Sequence, residues 1–216
     1  MKIKYSLYNS IITANKKHFV WLLIIGLLFL SARLAFAAVG CTLNDPDRDV
    51  KRIFPQSTGY RTAFITIQEV GGQALLKKIR DALGDNLDPI YVSIDVPYSF
   101  YDVLKGTEVI AHIHGVNQKG KYGGMQMIIA TDLEGKILAF YYQKMSSPEA
   151  KKFMDKNFTG KFIGLKLDDF MKGSLGVADP SKDSHYDFQA TLRGLKKNLI
   201  LLKELKLAKE AAGKKQ

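Results

Sequence analysis

Residues 125–143, MQMIIATDLEGKILAFYYQ, decide the fold of this chain. Met125 to Thr131 and Lys136 to Gln143 are apolar runs of strand length, and the link Asp132-Leu133-Glu134-Gly135 joins them and ends in glycine. Two such runs around a short glycine-containing link predict a β-hairpin. The upstream run Val109 to Val116, VIAHIHGV, has the same character. The sequence therefore predicts three consecutive antiparallel strands.

The segments on either side of this meander add helices and two more strands. Upstream we predict a short helix beginning at Asp45-Pro46, a strand over Arg61 to Val70, a helix over Gln73 to Leu83 and a strand over Pro89 to Val96. Downstream we predict a helix over Pro148 to Asn157, an irregular strand or short helix over Lys161 to Phe170, a polar loop over Ala178 to Tyr186 and an amphipathic helix from about Asp187. The predicted fold class is α+β, a mainly antiparallel sheet flanked by helices and preceded by one N-terminal transmembrane or signal helix.

The N-terminal segment divides the chain into a signal or anchor segment, residues 1–41, and a domain, residues 42–216. Phe19 to Leu30 contains no polar side chain, and lysines precede it. This pattern keeps the N-terminus inside and places the domain on the extracytoplasmic (periplasmic) side of the cell membrane. We predict a single retained anchor; cleavage after Ala35-Phe36-Ala37 and lipidation at Cys41 stay open as alternatives.

Charge and cysteine content exclude several classes of function. The net charge is +11, but the lysines are dispersed and do not form a stripe with interleaved aromatic residues. A nucleic-acid surface requires such a stripe, so we predict no nucleic-acid partner. Cys41 is the only cysteine, which excludes an intrachain disulfide and a cage of several thiolates.

The histidines are few, and two of them stand close together. His112 and His114 are two residues apart on a predicted strand, so their side chains point to the same face and could bind a metal or a haem iron together. No third ligand is near in sequence. We therefore predict two partly exposed strand histidines and no metal site. No serine-nucleophile motif is present, and no catalytic residue is predicted.

Lys119 to Gly124, KGKYGG, is a glycine-rich loop between two predicted strands. Paired glycines suit a tight hairpin turn, and they also let a backbone approach a ligand closely. Taken alone, these residues are compatible with both roles.

The order of motifs around this loop resembles a known family. Residues 112–137, HIHGVNQKGKYGGMQMIIATDLEGKI, resemble the core of the FMN-binding domain in flavoprotein subunits of the sodium-translocating NADH:quinone reductase and of the Rnf complex. That core is a strand, a G-x-G-Y-G-G-type loop, an apolar strand and a D-x-x-G-K-I segment. Ser146-Ser147-Pro148 and Phe158-Thr159-Gly160-Lys161 stand where the family has an E-T-P segment and an F-x-G-K turn. The resemblance covers about residues 50–205.

The resemblance implies a flavin site near the start of the last helix. In the family a threonine of a D-x-x-S/T-G-A-T segment is esterified to the FMN phosphate, and Ala190 and Thr191 match that segment. His185, Phe188 and Gln189 depart from it. The implied cofactor-binding residues are Thr191, Ala190, Tyr122, Gly123, Gly124 and Pro148. FMN bound covalently, FMN bound non-covalently and no FMN all stay open.

The resemblance also implies a role in electron transport. The expected protein is a membrane-anchored extracytoplasmic electron-transfer protein with protein partners in a membrane redox complex. The alternative is a cofactor-free accessory subunit that docks or stabilises such a complex. In both cases we expect a subunit of an oxidoreductase complex and not a free-standing enzyme.

Overall fold

The computed structural model of the chain describes residues 41–85 and 94–209. A five-stranded antiparallel sheet lies at its centre, and its strands follow one another in sequence order. The strands are β1 (Gly59–Ile65), β2 (Tyr98–Lys105), β3 (Glu108–Lys119), β4 (Gly124–Thr131) and β5 (Ile137–Met145). The predicted α+β class, an antiparallel sheet flanked by helices, is confirmed.

Helices flank the sheet at both ends of the described chain. They are α1 (Pro46–Ile53), α2 (Ile67–Val70), α3 (Gly72–Leu83), α4 (Ala150–Met154), α5 (Lys156–Thr159), α6 (Leu167–Met171) and α7 (His185–Leu201). A π-helical segment, Leu202–Leu207, continues α7. None of the described helices is both long enough and apolar enough to cross a bilayer. The predicted signal or anchor segment, residues 1–41, lies outside the described residues except for Cys41.

The predicted β4–β5 hairpin is confirmed. The Asp132 carboxylate holds the link between the strands by accepting the backbone N–H of Glu134 at 3.0 Å and that of Lys136 at 2.8 Å. Gly135 has φ of 82°, a left-handed conformation that glycine adopts without a steric cost. A local carboxylate and one glycine therefore set the turn that the sequence predicted.

Two of the strand predictions need correction. The strand predicted over Arg61 to Val70 ends at Ile65, because the Thr66 hydroxyl accepts the backbone N–H of Glu69 at 2.9 Å and caps α2. The strand predicted over Pro89 to Val96 lies mostly outside the described residues, and its described end begins with a turn. The strand in this region is β2, which is buried on both faces over most of its length and so lacks the alternation that marks a half-exposed strand.

The helices after the sheet differ in detail from the prediction. The helix predicted over Pro148 to Asn157 is two short helices, because the Asp155 side chain accepts the backbone N–H of Asn157 and starts α5. The uncertain segment Lys161 to Phe170 leads into the short helix α6. The predicted closing helix is confirmed as α7, which begins two residues earlier than expected.

The two faces of the sheet are covered by different parts of the chain. One face, called here the helix face, packs against α3, α7 and the π-helical segment in the larger core cluster. The other face, called here the N-terminal face, packs against residues 41–54 in a separate core cluster. Gly115 of β3 allows the close contact there, because a Cβ at this position would lie 2.6 Å from the Cys41 carbonyl oxygen. Residues 41–54 are therefore part of the fold.

Candidate functional site

Three segments that the sequence singled out meet at the N-terminal end of α7. The loop between β3 and β4 reaches α7 through the backbone N–H of Lys121, which donates to the Asp187 carboxylate at 2.7 Å. The segment after β5 reaches the same end through the Ser147 hydroxyl, which lies 3.4 Å from the Ser184 hydroxyl. The loop, the segment around Pro148 and the start of α7 therefore lie together.

The loop and the segment after β5 also contact each other directly. Gly123 has φ of 146°, and a Cβ built there would lie 3.0 Å from the Cβ of Ser146. Tyr122 next to it is half exposed, and the ammonium group of Lys121 lies 5.3 Å from the centre of its ring. Gly124 begins β4 and Pro148 is exposed. Four of the six predicted cofactor residues thus lie at or near the surface.

Thr191 is buried in the protein interior. Its side chain is fully buried, and its hydroxyl donates to the Asp187 carbonyl oxygen at 2.8 Å. The Tyr142 hydroxyl lies 2.8 Å from the Thr191 hydroxyl oxygen. Because the only hydroxyl proton of Thr191 is donated to Asp187, Tyr142 is the donor in this second bond. Burial raises the pKa of Tyr142 well above its usual range, although its hydrogen bond to Thr191 lowers it. The Thr191 hydroxyl is thus both a satisfied donor and a satisfied acceptor.

This arrangement of Thr191 does not fit a covalent flavin. An ester to the FMN phosphate would require both hydrogen bonds of the hydroxyl to break. The carboxylate of Asp187 is also fully buried one helical turn away, and its Oδ2 oxygen has no hydrogen-bond partner within residues 41–85 and 94–209. A phosphate entering beside that carboxylate would meet charge repulsion in a place that water does not screen. Attachment at Thr191 would therefore need the first turns of α7 to open.

Ala190, on the neighbouring side of α7, lines an open cleft of about 360 Å³. The cleft is also lined by Asp85, Gln118, Lys119, Tyr186, Gln189 and Arg193. Arg193 is held in place by Asp85 at 2.9 Å and by the Gln118 side-chain oxygen at 3.0 Å. This cleft offers an exposed aromatic ring, the cationic side chain of Lys119 and an Arg193 that is paired with Asp85. An aromatic ring and cations can accept a planar ligand with a phosphate group, which would share Arg193 with that carboxylate.

The histidine prediction is wrong about exposure. His112 and His114 are each 1% exposed, because α7 and the π-helical segment cover this face of the sheet. His114 stacks on Phe100 with ring centres 4.2 Å apart, and burial lowers its pKa to about 3. Within residues 41–85 and 94–209 no three histidine, cysteine or acidic side chains are placed to hold a metal ion together.

Sequence reasoning missed a buried ionic cluster around Asp102. The carboxylate of this β2 residue is fully buried and accepts from His112 Nδ1 at 3.0 Å, from Lys206 Nζ at 2.9 Å and from Arg61 Nη2 at 3.0 Å. Burial would raise the pKa of Asp102, but these donors outweigh it and hold the pKa well below its usual range. One signal in the sequence was an aspartate inside the apolar run Tyr98 to Leu104.

A second buried charge that the sequence did not reveal is Lys197. Its side chain is fully buried under α7, and Nζ donates to the Asn117 carbonyl oxygen at 2.8 Å. Burial lowers its pKa to about 7, and the nearby charge of Arg193 adds to this effect. Its position on the buried side of an amphipathic helix could have been deduced only with the register of α7.

Cys41, the predicted alternative for lipidation, is also buried. Its side chain is 3% exposed, and the Gln143 amide nitrogen lies 3.5 Å from Sγ. Burial raises the pKa of the thiol to about 11, although the contact with Gln143 lowers it. A lipid on Sγ would require this residue to leave the N-terminal face.

No protein-family model and no curated protein matches this chain. The resemblance to FMN-binding domains therefore rests on the motifs quoted above.

Proposed function

We propose that this chain is a membrane-anchored extracytoplasmic electron-transfer domain of the FMN-binding type that takes its flavin without a covalent bond. The observation that supports this proposal best is the meeting of the glycine-rich loop, the segment around Pro148 and the start of α7. These segments are far apart in sequence and include all six residues that the family resemblance implied. Their contact through Lys121 and Asp187, and through Ser147 and Ser184, is what a shared site requires.

The cleft beside Ala190 is the part of this region that can hold a cofactor. Lys119 and Arg193 would bind the phosphate, and the exposed ring of Tyr186 would pack on an apolar part of the ligand. The buried Thr191 hydroxyl would stay bonded to Tyr142 and would orient α7 beneath the site. When bound, the flavin supplies the redox chemistry, while the protein binds and orients it.

The test is the flavin content and mass of the full chain extracted from membranes in detergent. We expect flavin absorption in the native protein, release of free FMN on denaturation and a chain mass without added flavin. The variant Arg193→Gln should bind FMN roughly tenfold more weakly, since one charge-assisted contact to phosphate is lost. Lys77→Gln, on the exposed surface of α3, is the matched control and should bind normally.

Two results would contradict the proposal that the chain binds flavin non-covalently. One is a protein that carries no flavin and does not bind added FMN. The other is flavin mass on the peptide that contains Thr191.

A cofactor-free accessory subunit is the second candidate function, and the complete burial of Thr191 favours it. The hydrogen bond between Tyr142 and Thr191 occupies the position where a flavin ester would stand. The Asp187 carboxylate, whose Oδ2 has no partner in the described part of the chain, lies beside it. This candidate predicts a flavin-free chain that copurifies with subunits of a membrane redox complex. A solitary chain loaded with flavin would contradict it.

A further inference from the structure

The two edge strands of the sheet are protected to different degrees. Strand β5 pairs with β4 through two register shifts. Its first residue, Ile137, also exchanges backbone hydrogen bonds with the chain after α5, donating to the Leu165 carbonyl oxygen at 2.9 Å and accepting from the Gly164 N–H at 2.8 Å. Irregular pairing and coverage by another segment are two ways in which proteins keep an edge from pairing with another chain. The β5 edge is therefore protected.

Strand β1, at the other edge, lacks these protections. It pairs with β2 over seven residues, Gly59–Ile65, without a register shift. It contains neither proline nor lysine, and its one charged side chain, Arg61, is bonded to Asp102 of β2. No strand within residues 41–85 and 94–209 pairs with its outer side. A regular edge strand of this kind is a template for pairing with another strand.

A cleft of about 330 Å³ makes this edge accessible. Five consecutive residues of β1, residues 61–65, line the cleft together with Asp102, Lys206 and Lys209. Side chains of successive strand residues point to opposite faces of a sheet, so side chains alone cannot bring all five residues to one cleft. The feature that the five share is the backbone edge of the strand. The cleft therefore follows the outer edge of β1, where an edge strand presents unpaired N–H and C=O groups.

The side chains at this edge add an exposed aromatic ring. Tyr60 and Phe64 lie opposite Val103 and Ser99 of β2, and because they are four residues apart they point to the same face of the sheet. This is the N-terminal face, where the Tyr60 ring lies 5.9 Å from the ring of Tyr101. Phe64 is 56% exposed. A strand that pairs with β1 would cover this ring.

The sequence of β1 is complementary to itself in the antiparallel orientation. One register pairs all seven residues with those of a second copy, and its centre is Thr62. In this register Tyr60 lies opposite Phe64 of the second copy, and Arg61 lies opposite Ala63. No two like charges are directly opposite each other, and the interface contains two aromatic pairs, which stabilise paired strands.

We propose that β1 is an interface between two copies of this chain, which joins their sheets into one continuous antiparallel sheet. The interface is isologous, because both copies use the same strand about a two-fold axis. Backbone hydrogen bonds along β1 hold the two copies together, and the two contacts between Tyr60 and Phe64 fix the register. The cleft along β1 shares no lining residue with the Ala190 cleft. The interface therefore does not depend on whether flavin binds.

Cysteine crosslinking of the full chain in detergent tests the interface and its register. In a Cys41→Ala background, Thr62→Cys places two thiols directly opposite each other, with Cα atoms about 4.5–5.5 Å apart, a separation that a disulfide can bridge. We expect mild oxidation to link the chains in pairs of twice the mass, and a reductant to release them. Tyr60→Cys is the matched control on the same face of the strand. Its two copies would lie roughly 13 Å apart along the strand and should not be linked.

Removing the aromatic contact tests the complementarity of the side chains. Phe64→Thr keeps a residue that favours strands and removes the exposed ring. Combined with Thr62→Cys, it should lower the yield of linked pairs roughly fivefold, since two aromatic pairs are lost. Leu138→Thr, at a 40% exposed position of the other edge strand, is the matched control and should leave the yield unchanged. Thermal unfolding of each variant checks its fold.

Three results would overturn the proposal. One is equal linking in Thr62→Cys and Tyr60→Cys, which would indicate random collision or another register. The second is the absence of linked pairs in Thr62→Cys at every protein concentration tested. The third is a Thr62→Cys chain that oxidation of a cell extract links to a different protein and not to a second copy, which would assign the edge to a strand of that protein.

Discussion

The two faces of the sheet are packed in opposite ways. On the N-terminal face the packing against residues 41–54 is made largely by apolar side chains of β2, β3 and β4. On the helix face the interior also contains ionisable groups, Asp102, His112, His114, Lys197 and Lys206, each less than a tenth exposed. Buried charges destabilise a fold unless they are paired and hydrogen-bonded. The helix face therefore combines a core with buried ionisable groups, while the N-terminal face serves mainly to hold the domain together.

The largest effect should come from breaking the ionic cluster of the helix face. Asp102→Ala removes the carboxylate that Lys206, Arg61 and His112 share, and removing one partner of a buried ion pair costs roughly 3–5 kcal/mol. Denaturant unfolding measures this loss as a shift of the transition midpoint, with an unchanged slope of unfolding free energy against denaturant concentration. Asp81→Asn breaks the exposed pair with Lys77 and should change the stability by less than about 1 kcal/mol. Similar losses in both variants would contradict the contrast between paired charges inside and outside.

We predict that the buried charge of Lys197 lowers the free energy of unfolding at neutral pH. Its pKa falls from 10.5 to about 7 in the folded protein, so the unfolded chain binds more protons between these two pH values. Stability therefore rises with pH across this window. Lys197→Met should stabilise the protein by roughly 2–4 kcal/mol at neutral pH, since one pKa unit corresponds to about 1.4 kcal/mol. This figure is reduced by the interactions that the ammonium group loses, the bond to Asn117 among them.

The pH profile separates this effect from simple repacking. The free energy of unfolding of wild type should rise from pH 7 to pH 10.5, and that of Lys197→Met should not. The two free energies should become equal near pH 10.5, apart from differences in packing. A constant difference between them at every pH would show that packing, and not the charge of Lys197, caused the gain. Lys196→Met changes a neighbouring residue that is only half-buried, and it should keep the wild-type slope.

Local patterns predicted most of the elements but little of the helix face. The hairpin and the cap at Asp45 follow from short-range chemistry, since a carboxylate fixes each of them within a few residues. The closing helix follows from leucines spaced three or four apart. Strand β2 was missed because burial on both faces removes alternation. Without β2, Asp102 had no place in the sheet, and neither its partners from three other elements nor the burial of the two histidines could be inferred.

The candidate site shows the same limit. The family resemblance pointed to the loop at Tyr122 to Gly124, to Pro148 and to Ala190, and the structure joins the segments that carry them through Lys121 and Asp187 and through Ser147 and Ser184. Their use as a flavin site stays a prediction. The resemblance did not reveal that the Thr191 hydroxyl bonds to Tyr142. That contact depends on the register of β5 against α7, which no short motif encodes.

Gly115 tests how tightly the N-terminal face is packed. Gly115→Ala would place a Cβ 2.5 Å from Ile128 Cδ1 and 2.6 Å from the Cys41 carbonyl oxygen. Overpacking of this kind costs roughly 1–3 kcal/mol, and because backbone is one of the contacts, side-chain rotation alone cannot relieve it. Gly59→Ala, in β1 with open space around the new Cβ, is the matched control and should be close to neutral in denaturant unfolding.

The smallest effect on stability, and the one that bears on the membrane, should come from Cys41. The thiol is 3% exposed and its pKa is raised to about 11 by burial, so little thiolate is present at pH 8, and iodoacetamide should label it only after unfolding. Cys41→Ala removes one sulfur from the N-terminal face and should cost about 1 kcal/mol. If residues 1–40 anchor the chain, the variant should stay in the membrane fraction as the wild type does. Two results together would contradict this expectation: release of the variant into the soluble fraction, and a lipid mass on wild-type Cys41. They would show that Cys41 carries a lipid anchor. The packing of the N-terminal face around Cys41 would then have to open.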